Sequence, residues 1–121
     1  MRLDAATRRR YARQLLLVEV GEAGQERLLA ARFRQDDASD QEASLVAAEY
    51  LERAGCTVGA DGDTLDVPDE STVMRFAGKA SLAGPAAAVV GAFCAVEAMK
   101  RTLGCGESCR FPEELNLSTE P

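Results

Sequence analysis

The side chains in this sequence with chemistry to offer are four cysteines, two aspartates flanking a glycine, and a cluster of arginines near the start of the chain. Histidine is absent throughout, which removes imidazole-activated serine or cysteine nucleophiles and every His-containing zinc or iron site. Cys105 and Cys109 in Cys105-Gly106-Glu107-Ser108-Cys109 offer half of a tetrahedral metal site or a redox pair. The remaining thiols are Cys56 and Cys94, the latter inside an apolar stretch where it reads as a small core residue, so no metal site is expected. In Asp61-Gly62-Asp63 the two carboxylates are placed to accept sugar hydroxyls, and the same triplet is also what a tight turn between short strands requires. Arg10 and Arg13, with Arg8 and Arg9, form a basic run that can either neutralise phosphate or make a solvated helix face paired with Glu19 or Glu22.

These residues must be positioned by elements that the apolar spacing outlines. Asp4 caps a first helix over 5–18 with Tyr11, Leu15 and Val18 on one face. Gly21 breaks it, and a second helix over 22–33 turns Leu28, Leu29 and Ala31 inward, giving a helical hairpin over 4–33. The polar stretch 34–41 reads as a loop, and Ser39 or Asp40 then caps a helix over 40–55 carrying Leu45, Ala47, Ala48, Tyr50, Leu51 and Ala54. Residues 56–68 suit two short extended pieces joined at Asp61-Gly62-Asp63. Helices follow over 69–77 and 84–103, with Pro85 in the first turn and Gly104 after the end. The expectation is one mainly α domain over 1–104, about five helices with at most a short two-stranded β element, and a tail over 105–121.

Composition narrows the function classes. The chain is 46% hydrophobic but 5% aromatic and has no tryptophan, so its core is built from Ala, Leu and Val and favours close helix packing. A formal charge of −6 argues against nucleic acid as a partner. Met1-Arg2-Leu3-Asp4 has no apolar signal core, and the uncharged run from Leu82 to Val96 is short of a membrane span, so a cytoplasmic protein with reduced thiols and no membrane partner is expected. Gly91 within the last helix weakens it by about 1 kcal/mol relative to alanine, which points to close approach of another helix in the core or across a self-interface. Ala87, Gly91, Ala95 and Ala98 share one small-residue face suited to such a contact.

The opening of the chain has a more specific pattern. Arg10-Tyr11-Ala12-Arg13-Gln14, then Leu15-Leu16-Leu17, then Gly21-Glu22-Ala23-Gly24-Gln25-Glu26-Arg27-Leu28-Leu29 is similar to the first two helices of the ThiF, MoeB and HesA adenylyltransferases, which read Arg-Tyr-x-Arg-Gln, an apolar run and Gly-x-x-Gly-Gln-x-x-Leu. Leu51-Glu52-Arg53-Ala54-Gly55 resembles the end of the family helix after the nucleotide turn. Asp61 to Asp66 resembles the acidic turn that holds the ribose of ATP, and Leu82 to Gly104 resembles a late family helix rich in Ala and Gly that ends Ala-x-Glu-Ala-x-Lys-x-Leu-Gly. The resemblance covers roughly two thirds of the chain. It implies that Arg13 reaches into a partner's nucleotide pocket and that Asp61 and Asp63 face a ribose.

The departures from that pattern are as informative. Where the family has a glycine-rich phosphate turn, this chain reads Phe33-Arg34-Gln35-Asp36-Asp37-Ala38-Ser39-Asp40, without glycine and with acids that repel a triphosphate. The phosphate-contacting motif, the catalytic-cysteine loop and the paired Cys-x-x-Cys zinc ligands have no counterpart, and Ser118-Thr119-Glu120-Pro121 lacks the Gly-Gly end of a sulfur carrier. The resulting expectation is a degenerate, non-catalytic relative without a cofactor. It would work as a homodimer or as an accessory subunit of a full-length adenylyltransferase or sulfur carrier, with Arg10, Arg13, Gly91 and Ala95 facing the partner. The alternative is a small ligand- or nucleotide-binding protein, or a minimal adenylyltransferase-like enzyme, that uses Asp61 and Asp63.

Overall fold

The computed structural model describes residues 3–112 and 114–118, so the last residues of the expected tail over 105–121 lie outside the described residues. In chain order the elements are α1 (Ala5–Arg10), α2 (Ala12–Leu15), α3 (Gly21–Ala30), β1 (Arg32–Arg34), α4 (Gln41–Ala54), β2 (Thr57–Gly59), β3 (Asp63–Thr64), α5 (Glu70–Ala77), a 3₁₀ turn (Ala80–Leu82) and α6 (Ala83–Leu103). The fold is mainly helical with a small sheet. The sheet has three strands in the order β2-β1-β3, all parallel, with Phe33 opposite Val58 on one side and Asp63 on the other.

The central strand is where the structure departs most from the reading of a helix over 22–33 and a loop from 34. Arg32, Phe33 and Arg34 alternate exposed, buried and exposed, the period of a strand, and α3 stops at Ala30. Phe33 enters the core, while Arg32 and Arg34 stay in solvent. A strand this short holds its place because both edges are paired and α4 crosses back to β2, making a β1-α4-β2 unit. The extended pieces 57–59 and 63–64 therefore do not pair with each other. They flank β1, and the segment between them passes Arg32, where Gly62 lies against the Arg32 carbonyl so closely that a Cβ would collide with it.

The first helix is likewise divided. Tyr11 interrupts it and buries its ring, and beyond Leu15 the chain enters a tight turn in which Val20 and Gly21 donate to the Leu17 carbonyl. Val18 is thus not on an inward helix face but 96% exposed.

The core is centred on α4 and α6, the most extensive helix pair in the molecule. Asp40 caps α4, and its buried face is Ala43, Ser44, Ala47, Ala48, Leu51 and Ala54; Leu45 and Tyr50, expected on that face, point outward. On α6 the small-residue face is turned inward. Ala87, Gly91, Ala95 and Ala98 are buried within the chain, and a Cβ on Gly91 would stand 2.5 Å from the Ala43 carbonyl oxygen and 2.7 Å from Val46 Cβ. The partner-facing reading of Gly91 and Ala95 is thereby corrected: the close approach they permit is to α4 of the same chain. Val89 and Val96 lie on the outer face of α6 at 46% and 51% exposure.

The segment Ala80–Leu103 contains an 18-residue window of mean hydropathy 1.7 and is, by length and composition, long and apolar enough to cross a membrane. Here it serves as the central core helix, packed on α3, α4 and α5. It ends on an ion pair between Glu97 and Lys100 at 2.7 Å.

Candidate functional site

In open α/β folds, ligands bind beyond the carboxyl ends of the parallel strands, where the first strand runs into a helix N-terminus. In this chain that place is 35–40, between β1 and α4. Three backbone donors of this turn already have acceptors. Ala38 donates to Asp36 Oδ1 at 3.0 Å, Ser39 N–H to the Asp36 carbonyl at 3.0 Å, and Asp40 N–H to the Pro68 carbonyl at 2.7 Å. The Asp40 carboxylate accepts from Ala43 N–H at 2.9 Å, placing an anion of the chain's own on the positive end of α4. The Ser39 hydroxyl is also committed, donating to the Val67 carbonyl at 2.8 Å. These residues do not fit the triphosphate of ATP.

The candidate ribose ligands do not complete such a site. Asp61 is exposed and paired with Arg32 Nε at 3.1 Å, an arrangement that ties the 59–63 crossing to β1. Asp63 opens β3 and is exposed opposite Phe33. Arg10 ends α1 with its guanidinium 5.5 Å from the centre of the Tyr11 ring, and Arg13 lies exposed on α2. Gly91 and Ala95 lie on the buried α4–α6 seam. The structure thus separates the residues singled out in the sequence into strand-edge, helix-surface and core positions.

What the motif residues do build is a buried polar joint. Gln25 is fully buried; its amide donates to the Ala54 carbonyl at 2.9 Å, and its side-chain oxygen accepts from Gln14 at 2.9 Å. Gln14 also reaches the Ala54 carbonyl at 3.3 Å. Gly55 leaves room for the Gln25 amide, which lies 2.8 Å from where a Cβ would stand, and the Tyr11 ring closes the other side. The Tyr and Gln of the first motif, the Gln of the second and the Ala54-Gly55 helix end therefore meet at one point, satisfying a terminal carbonyl of α4.

The thiols divide by environment. Burial pushes Cys56 and Cys94 up to about 11, so both are protonated, unreactive core groups at neutral pH. Cys105 is half-buried, and exposed Cys109 has its sulfur 3.8 Å from Lys100 Nζ. Among the described residues no group of three or more Cys, Asp or Glu is arranged to hold a metal ion.

Sequence reading missed a cavity of about 250 Å³ between α5, α6 and the segment after Gly104. That segment is not a free tail where it is described. Cys109 N–H donates to Glu97 Oε1 at 2.6 Å, and Leu117 N–H to the Phe76 carbonyl at 2.7 Å. Phe111 packs edge-on against Phe76 and Phe93, with centroids 4.7 and 5.3 Å apart. The Lys100 ammonium and the Cys109 N–H hold the Glu97 carboxyl below the usual range, and Glu97 in turn raises Lys100. Arg110-Phe111-Pro112, one of the few aromatic positions in the chain, was the available signal for this docking.

No protein-family model, curated protein or solved structure matches the chain.

Proposed function

We propose that this chain is a non-catalytic relative of the ThiF/MoeB/HesA adenylyltransferases that acts by association, as a homodimer or as an accessory subunit of a full-length adenylyltransferase or its sulfur carrier. The observation that carries the reading is the β1–α4 turn. The N–H groups of Ala38, Ser39 and Asp40 are spent on the chain's own acceptors, and the Asp40 carboxylate caps the helix end where a nucleotide phosphate would otherwise bind. The retained joint of Tyr11, Gln14, Gln25 and Gly55 supports descent from the same N-terminal architecture.

Association is supported by the turn after α2, where Leu16, Leu17 and Val18 are 85%, 53% and 96% exposed in succession. Apolar side chains presented together in this way mark a contact surface more often than isolated ones do. Arg10 and Arg13 are solvent-exposed just before this turn, available to a partner's acidic groups. A cytoplasmic setting, without nucleic-acid or membrane partners, belongs to the same proposal.

Sedimentation velocity at micromolar concentration tests it. The native chain is expected as a dimer that Leu16→Asp and Val18→Asp dissociate without loss of helix content. A 12.9 kDa monomer for the native chain, unchanged on addition of an adenylyltransferase or sulfur carrier, would overturn the proposal.

A further inference from the structure

We infer that the cavity between α5, α6 and the docked segment after Gly104 is a binding site for a small organic anion, an oxyanion carried on an apolar body about the size of one aromatic ring. The inference is independent of the reading of the β1–α4 turn.

Size comes first. At about 250 Å³ the cavity lies just below the range of pockets that take drug-sized ligands, so it selects a small molecule. Its lining is chemically divided. Phe76, Phe93 and Phe111 supply aromatic surface, with Phe111 meeting each of the other two rings edge-on. These are three of only four phenylalanines in the chain.

The charged part of the lining favours an anion. Arg75, Arg101 and Arg110 stand against Asp66 and Glu97, and Glu97 is already engaged by Lys100 at 2.7 Å and by the Cys109 N–H. Arg75 spends one N–H on the Thr72 hydroxyl at 3.1 Å. Arg101 and Arg110 have no hydrogen-bonding side-chain partner among the described residues. In a protein of net charge −6, gathering three arginines into the lining of an aromatic cavity runs against the overall field. Guanidinium matches the planar geometry of a carboxylate and the oxygens of a phosphate ester, so both headgroups share the required chemistry.

The wall that completes the cavity is held in place independently of any ligand. Glu97 fixes the backbone at Cys109, two residues before Phe111, and Asn116 donates to the Arg75 carbonyl at 3.2 Å. The site is therefore largely preformed, the usual condition for small-molecule binding.

The test is an NMR titration of the ¹⁵N-labelled full chain with benzoate, phenyl phosphate and the neutral benzyl alcohol. Saturable shifts are expected with at least one of the anions, confined to residues around 72–76, 93–101 and 105–112, and the better of the two assigns the headgroup as carboxylate or phosphate. Benzyl alcohol should bind about tenfold more weakly, and Arg101→Gln and Arg110→Gln should each weaken the anion about tenfold, as the loss of one charge-assisted hydrogen bond predicts. Arg9→Gln, outside the lining, should leave affinity unchanged. Thermal melts confirm that the variants are folded; if one arginine variant is not, the other and the neutral alcohol carry the comparison. Absence of saturable shifts with both anions, equal binding of benzyl alcohol, or indifference to both arginine substitutions would overturn the inference.

Discussion

Replacing Gly91 by leucine gives the sharpest check on how the core is built. The new Cβ would stand 2.5 Å from the Ala43 carbonyl oxygen and 2.7 Å from Val46 Cβ. The first is backbone and the second the branch point of a helical side chain, so neither can swing aside, and α4 and α6 must move apart. Overpacking of a tight seam costs about 3 kcal/mol at the upper end of its usual range, while exchanging glycine for leucine in a helix returns about 1 kcal/mol of propensity. The net loss is about 2 kcal/mol, which for a chain of this length lowers Tm by about 8 °C. Thermal unfolding followed by circular dichroism at several protein concentrations measures it. Because the seam lies within one chain, the loss should be the same at every concentration. An unchanged Tm would refute the packing argument, and a loss seen only on dilution would place Gly91 between subunits.

Other perturbations reach the polar joint and the docked segment. Gln25→Leu, which keeps the volume but removes both hydrogen bonds of a fully buried amide, should cost about 1–3 kcal/mol in urea denaturation; no change would mean that the joint is not structural. Gly78 has φ +78° and lies against Asn116 and Ser118, so Gly78→Ala should cost about 1–3 kcal/mol of strain and speed proteolysis within 105–118, whereas an unaltered cleavage rate would count against docking of that segment. The Glu97 carboxyl is held below its ordinary 4.5 by Lys100 first and then by the Cys109 N–H. A depressed folded-state pKa contributes stability that is present above 4.5 and lost as pH falls through the folded value. Hydrogen exchange at 105–112 should accordingly rise on acidification below that range, and Glu97→Gln should flatten the dependence. A profile identical in native chain and variant would show that Glu97 does not anchor the segment.

Much of the helical framework was legible from local signals. Pro85 and Gly104 bracket the last helix because caps and stops act within a few residues. Phase and pairing were not legible to the same degree. On α4 the apolar Leu45 and Tyr50 suggested one buried face, but contact with the small face of α6 selects the face of Ala43 and Ala47. Arg32-Phe33-Arg34 is too short to show a strand period, and it becomes one only through partners 25 and 30 residues further on. The cavity was the least legible feature, since its walls come from α5, α6 and an irregular segment that no periodicity marks. The motif residues Gln14 and Gln25 were noticed for their spacing, yet their common partner, the Ala54 carbonyl, is 40 and 29 residues away.

ATP–pyrophosphate exchange tests the central claim most directly, because it asks whether the β1–α4 turn can hold a triphosphate in a reactive state. With ATP, Mg²⁺ and labelled pyrophosphate, with and without an added sulfur-carrier protein, the purified chain should put no label into ATP above background. Measurable exchange with the native chain would contradict the account, and its loss on Asp63→Asn would assign the activity to the nucleotide-binding alternative built on Asp61 and Asp63.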